Sequence, residues 1–178
     1  ENTVVIVVPR VLEMIHGRIM KTIKKSGKEK TFRRALKASR SARKFGVNVS
    51  RTLFKQIINE LGGKLRLVIT GAAALAPDIC RDFEDFGIMV LQGYGMTETA
   101  APMIVNWQDA NRVGSVGKPG PGMGVRVDDD GELLVEGPNV FLGYYKKPEL
   151  TAEVKLPDGW LRPGDLGTLH DDGFGYIT

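Results

Sequence analysis

Two short strand-like runs, Leu65 to Thr70 and Ile88 to Leu91, each lead directly into a loop of small residues, and a helical stretch separates them. The first loop is Gly71-Ala72-Ala73-Ala74. The second begins as a glycine-rich turn at Gln92 to Gly95. Pro77 and Asp78 open the intervening helix, which the pattern closes near Phe86-Gly87. Strand, helix, strand with small residues at the strand ends is the grammar of an open parallel α/β sheet, and such sheets bind ligands beyond the carboxyl ends of their strands. Both Gly71–Ala74 and Gly93–Thr99 are therefore expected at a ligand-facing edge.

The first sixty residues extend the same grammar. Thr3 to Val8 is rich in β-branched residues and lacks polar alternation, which predicts a short strand buried on both faces. Pro9 stops it and suits a first helical turn. Val11, Leu12, Ile15, Ile19 and Ile23 then recur at helical spacing, with Lys21, Lys24 and Lys25 late, where they complement the helix dipole. A second helix is predicted from Thr31 to about Phe45. A third runs from an N-cap at Ser50 to Leu61, burying Leu53, Phe54, Ile57 and Ile58.

After about Asn111 the texture changes. Five glycines fall between Gly114 and Gly124, and short alternating strands follow at Val125–Val127, Glu132–Val135, Gly167–Leu169 and Phe174–Ile177. Asp130-Gly131 and Asp172-Gly173 are strong turn signals between strands. Asp128-Asp129-Asp130 is expected as a solvent-facing hairpin tip rather than a metal site. The glycines of 114–124 lack a following helix, which argues against a dipole-assisted phosphate loop. The expected fold is α/β: part of an open parallel sheet layer over residues 1–110, then a small antiparallel β subdomain, a distorted barrel, over 111–178.

Composition excludes several classes. With 42% apolar and 26% charged residues, the chain is too apolar for disorder. Its longest aliphatic run, Val4 to Val8, is too short for a transmembrane helix, and no signal-peptide pattern stands at the start. The lone Cys80 cannot pair internally, which points to a reducing, cytoplasmic compartment. Cys80, His16 and His170 make no zinc ligand set. The net charge of +4 hides an asymmetry, because residues 1–60 carry 15 Lys/Arg against 4 Asp/Glu and residues 61–178 carry 10 against 17. A basic first third raises a different class of function, a binding module for nucleic acid or anionic lipid. On the helices the basic residues fall between the apolar positions and no aromatic stacking platform is interleaved, so a solvated face is the expectation and no nucleic-acid partner is expected.

The chemistry concentrates in Gly93-Tyr94-Gly95-Met96-Thr97-Glu98-Thr99. Tyr94 offers a flat face for a planar ring, and the flanking glycines let backbone approach a ligand. Thr97 brings a hydroxyl suited to phosphate, and Glu98 a hard oxygen suited to Mg²⁺. The same residues would equally serve as a tight turn with a core Tyr94 and a solvated Glu98.

The motif GYGMTET resembles a core motif of the adenylate-forming superfamily, which comprises acyl-CoA synthetases, luciferases and the adenylation domains of peptide synthetases. VPRVLEMIHGRI (Val8 to Ile19) resembles a segment of long-chain fatty acid–CoA ligases, and LRLVITGAAAL (Leu65 to Leu75) their second nucleotide loop. GELLVEGPNVFLGYYKKPELT (Gly131 to Thr151) and DGWLRPGDLG (Asp158 to Gly167) follow in the family's order.

The resemblance implies roles residue by residue. Tyr94 would stack on adenine, with the backbone of Gly71, Ala72 and Ala73 bordering the pocket. Thr97 would contact phosphate, and Glu98 would hold Mg²⁺. Asp165 would accept hydrogen bonds from both ribose hydroxyls, a role two acceptor oxygens suit. Gly93 and Gly95 would leave room for the acyl chain, and Trp160 would be packing. The implied reaction uses ATP, fatty acid and CoA, passing through acyl-AMP to a thioester. Transfer of the acyl group to a carrier protein is the alternative acceptor chemistry. Pro163 departs from the family's usual Thr, though the turn is still expected to form. No phosphate loop ending in Lys-Gly is present, and the sequence ends where the family continues into a hinge and a C-terminal domain. The 178-residue piece is thus expected to be inactive alone and to self-associate, with peripheral membrane contact a further expectation.

Overall fold

The computed structural model describes residues 3–100 and 102–178. The chain divides into two compact units, 1–91 and 92–178. The division falls inside a strand, ahead of the change in texture near Asn111, because the strands that follow pair back onto the end of that strand.

In chain order the first unit contains β1 (Val4–Val7), α1 (Pro9–Lys25), α2 (Glu29–Lys44), α3 (Ser50–Leu53), α4 (Lys55–Glu60), β2 (Leu67–Thr70), α5 (Pro77–Asp85) and the start of β3 (Met89–Gly95). β1 and β2 are parallel, with Val4 opposite Leu67 and Val7 opposite Thr70. β3 flanks β2 on its other side, and the Met89 N–H donates to the Arg66 carbonyl at 2.9 Å. The helix starts follow local chemistry: Pro9 and Pro77 occupy first turns, where a missing N–H costs nothing. The core centres on four phenylalanines, with Phe54 and Phe86 ring centroids 5.2 Å apart and Phe32 and Phe83 each within 6.0 Å of Phe86. Leu12, Ile58, Val68, Cys80 and Ile88 are buried.

Two expectations change here. β1 is not buried on both faces, since Val4 and Ile6 are exposed, Ile6 at 78%. The strand stands at the end of the sheet order, so its burial alternates. The third helix is interrupted at Phe54, whose φ of −110° and ψ of 25° leave the helical region while its ring turns into the phenylalanine cluster. Leu53, expected inside, is consequently exposed.

Part of the basic charge is used internally. The Asp85 carboxylate, 3% exposed, receives Arg40 Nε at 2.5 Å and an Arg43 terminal nitrogen at 3.2 Å. A second Arg40 nitrogen reaches Asp82 at 3.3 Å, and Asp82 also meets His16 Nε2 at 2.9 Å. Arg51 donates to the carbonyls of Gly63 and Leu65. Arg40 and Arg43 tie α2 to α5, and Arg51 ties α3 to the segment before β2.

In the second unit, β3 continues through Gly95 where a glycine turn was expected. Gly93 and Tyr94 pair antiparallel with Val105 and Ile104 of β4 (Pro102–Val105), and the register shifts after Tyr94. Cross-strand pairing outweighs the glycines' weak strand preference. β4 pairs with β5 (Lys118–Pro119). Gly117, at φ +103°, lies so close to the β4 backbone that a Cβ would sit 1.9 Å from the Val105 carbonyl carbon. Then come β6 (Gly124–Val127) and β7 (Leu133–Glu136), paired antiparallel, α6 (Pro148–Val154), and the antiparallel pair β8 (Gly167–Leu169) and β9 (Gly175–Ile177). Gly131 and Gly173 take positive φ at the predicted turns. The Glu132–Leu166 bridge joins the starts of β7 and β8, and the Val135–Leu161 bridge ties β7 to the segment after α6. Met103, Ile104, Val135 and Leu161 form the core, with Tyr94, Met96 and Phe141 packed against it. Among the described residues no helix is long and apolar enough to cross a membrane.

Candidate nucleotide-binding site

Asp165 lies in the turn Arg162-Pro163-Gly164-Asp165, directly ahead of β8. Gly164 takes φ +83°, a conformation glycine adopts without strain, and Pro163 does not prevent the turn. The turn is tied to the residues before β7. Glu132 Oε1 accepts the Gly164 N–H at 2.7 Å, Glu132 Oε2 accepts Arg162 Nε at 2.8 Å, and the Leu133 N–H donates to the Asp165 carbonyl at 2.9 Å.

Tyr94 stands near the end of β3, half-buried against the unit's core. Its hydroxyl donates to Asp165 Oδ2 at 2.7 Å. Burial, and then this bond to a carboxylate, pushes the Tyr94 phenol far above its ordinary value, so it remains a donor at every physiological pH. The aromatic ring and the acidic oxygen singled out from sequence therefore stand side by side.

Thr97 and Glu98 follow on a short 3₁₀ turn, Thr97–Thr99. Thr97 is exposed, and Glu98 is half-buried. Glu98 Oε1 accepts the Tyr144 hydroxyl at 2.7 Å, and the Glu98 carbonyl accepts the Phe141 N–H at 2.7 Å. The bond to Glu98, with burial second, raises the Tyr144 phenol. Thr99 closes the turn through bonds between its hydroxyl and the Met96 backbone, and Asn139 Nδ2 donates to the Thr99 carbonyl at 2.6 Å. Gly93 and Gly95 flank Tyr94 within β3. Gly71, Ala72 and Ala73 belong to the first unit, immediately after β2, and Ala72 holds a left-handed φ of +66°.

The acidic run at 128–130 is occupied by the protein itself. Asp130 accepts the Glu132 N–H at 3.1 Å and an Arg162 nitrogen at 2.7 Å, and these bonds, the backbone one first, hold its carboxyl below the usual range. Among the described residues no group of three or more His, Cys, Asp or Glu is placed to hold a metal. Glu98 alone is a donor set for a cation that brings its other ligands as phosphate and water, which is the ordinary habit of Mg²⁺.

Sequence reasoning did not single out Tyr144, Glu132, Arg162 or Asn139. The one signal in the sequence was the position of Glu132, a charged residue beside the apolar run Leu133-Leu134-Val135.

Residues 1–145 match the family model described as AMP-binding enzyme. The chain belongs to the AMP-binding enzyme family. The chain is 33% identical over 189 residues to a long-chain-fatty-acid–CoA ligase of Mycobacterium bovis, covering 99% of the chain and 31% of that relative. It is 36% identical over 181 residues to the peroxisomal long chain acyl-CoA synthetase 6 of Arabidopsis thaliana, covering 90% of the chain and 26% of the relative. Among solved structures it is similar to the o-succinylbenzoate–coenzyme A synthetase of Bacillus subtilis in complex with ATP and magnesium ion. The TM-score is 0.59 at 27% identity, over 71% of the chain and 30% of that structure. The chain thus spans less than a third of the length of the curated relatives it matches.

Proposed function

We propose that the chain carries the adenosine-binding part of an ATP-dependent fatty acid–CoA ligase. A fatty carboxylate oxygen attacks the α-phosphorus of ATP, and the bond to the departing pyrophosphate breaks. The thiol sulfur of CoA then attacks the acyl carbon, loses its proton, and displaces AMP. The observation that carries this reading is the 2.7 Å bond from the Tyr94 hydroxyl to Asp165. An aromatic face and an acceptor-rich carboxylate, held together at a strand end, suit a purine joined to a ribose diol.

The other roles follow within the proposal. Asp165 receives the ribose hydroxyls, Thr97 contacts phosphate, and Gly93 and Gly95 make room for the acyl chain. Glu98, with Tyr144 fixing one of its oxygens, holds Mg²⁺, which when bound offsets phosphate charge. The long-chain fatty acid as substrate rests on the names of the Mycobacterium and Arabidopsis relatives. A cytoplasmic setting rests on the single buried Cys80. Self-association of the 178-residue chain rests on the exposed apolar side chains of β1 at the sheet's edge. The test is an assay of the full-length protein for fatty-acid-dependent pyrophosphate release and thioester formation. Turnover that requires ATP, fatty acid and CoA supports the proposal, and absence of both products with every common chain length overturns it.

A further inference from the structure

We propose that Glu132 is a positioning residue that sets the Asp165 carboxylate, acting through the Arg162–Gly164 turn. Asp165 is exposed, and its turn has few constraints of its own: Pro163 has no N–H to bond, and Gly164 supplies mobility along with its positive φ. The constraint comes from one buried side chain. Glu132, 8% exposed, spends its two oxygens on different parts of the turn, Oε1 on the Gly164 N–H at 2.7 Å and Oε2 on Arg162 Nε at 2.8 Å. Arg162 is in turn held by Asp130 at 2.7 Å. Backbone bonds from Leu133 to Asp165 and from Gly167 to Gly131 fix the chain on both sides of the same carboxylate.

A buried residue here needed only for folding would be expected to be apolar, like Leu133 to Val135 after it. Burying a carboxylate is costly unless every oxygen is matched, and here both are matched to donors of the turn. That expense fixes the direction of Asp165 Oδ2, which meets the Tyr94 hydroxyl at 2.7 Å. Glu132 also adds its charge to the effects that raise the Tyr94 phenol. A useful variant must therefore separate reach from charge. Glu132→Asp retains the charge and withdraws the oxygens, whereas Glu132→Gln retains the reach and removes the charge.

The inference rests on the nucleotide reading only for its affinity arm. The experiment uses the 178-residue chain with ¹³Cζ-labelled tyrosine, measuring at neutral pH the Tyr94 ¹³Cζ shift that reports its hydroxyl's bond to Asp165, together with hydrogen exchange at the Gly164 amide, the melting temperature and AMP affinity. For Glu132→Asp the expected result is an unchanged fold, faster exchange at Gly164, a Tyr94 ¹³Cζ signal moved toward that of a solvated phenol, and AMP affinity weakened about tenfold, the scale of one charge-assisted hydrogen bond. Should that variant unfold, Arg162→Lys, which keeps the charge and loses the Nε donor, is expected to give the same three changes. A folded Glu132→Asp or Arg162→Lys with Gly164 still protected and the Tyr94 ¹³Cζ signal unmoved overturns the proposal. If wild-type protein binds no AMP, the nucleotide reading fails, while the Tyr94 and Gly164 signals still decide the role of Glu132.

Discussion

The Tyr94 hydroxyl donates to Asp165 Oδ2 at 2.7 Å across 71 residues of sequence, joining the end of β3 to the turn before β8. Ring and hydroxyl have separable tasks: the ring supplies a flat apolar face, and the hydroxyl orients the carboxylate. Tyr94→Phe should keep AMP affinity within about threefold, because in the proposed site the ring, which this variant retains, supplies the stacking face. Tyr94→Ala should cost about 1–3 kcal/mol, the scale of base–aromatic stacking. Equal losses in the two variants would assign the effect to the hydroxyl and refute the stacking role.

Asp85 makes a second prediction. Its carboxylate is 3% exposed and holds Arg40 and Arg43, both of which are partly in solvent. Removing a buried partner is expensive, but the half-solvated guanidiniums recover hydration, so Asp85→Ala should lower stability by about 2 kcal/mol. Urea unfolding followed by circular dichroism measures it. A loss below about 0.5 kcal/mol, the range of ordinary surface changes, would show that the pair contributes nothing to the helix packing.

Cys80 gives a pH prediction. Burial first, and Glu84 second, push its thiol up to about 11. The folded state thus favours the protonated thiol. The associated stability is fully present below the thiol's ordinary pKa and is lost as pH rises through about 11. At pH 8, iodoacetamide should label the native chain at least about a hundredfold more slowly than the urea-unfolded chain, since the thiolate is the nucleophile. Comparable rates in the two states would mean that Cys80 is accessible and ordinary.

The sequence carried the parts of the fold that depend on local periodicity. Pro9 and Pro77 opened helices where expected, and Gly131 and Gly173 turned the chain where Asp-Gly pairs announced it. What was illegible depends on partners distant in sequence. Gln92 to Gly95 looked like a turn, yet pairing with β4 draws it into a strand. Phe54 looked like the middle of a helix, yet the attraction of Phe32 and Phe86 outweighs one continuous hydrogen-bond ladder. The run β1 looked doubly buried because composition reports apolarity and not which face finds a neighbour. Pro148 and the short helix α6 went unremarked, as seven residues give too little periodicity to read.

The candidate site divides along the same line. Tyr94, Thr97, Glu98 and Asp165 were visible because their side chains carry chemistry within recognisable segments. Tyr144 and Glu132 were not, because each acts on a residue tens of positions away, Tyr144 on Glu98 and Glu132 on the turn at Gly164. Spacing cannot reveal a hydrogen bond that only the folded chain creates.

The central claim, that Tyr94 and Asp165 together hold an adenosine, is tested most directly by calorimetric titration of AMP into wild-type protein and into Asp165→Ala. On the proposed reading, losing the carboxylate would remove charge-assisted hydrogen bonds to the ribose, so affinity should fall by about 1–3 kcal/mol, with an unchanged melting temperature showing that the turn still folds. An Asp165→Ala protein that binds AMP as tightly as wild type would contradict the account.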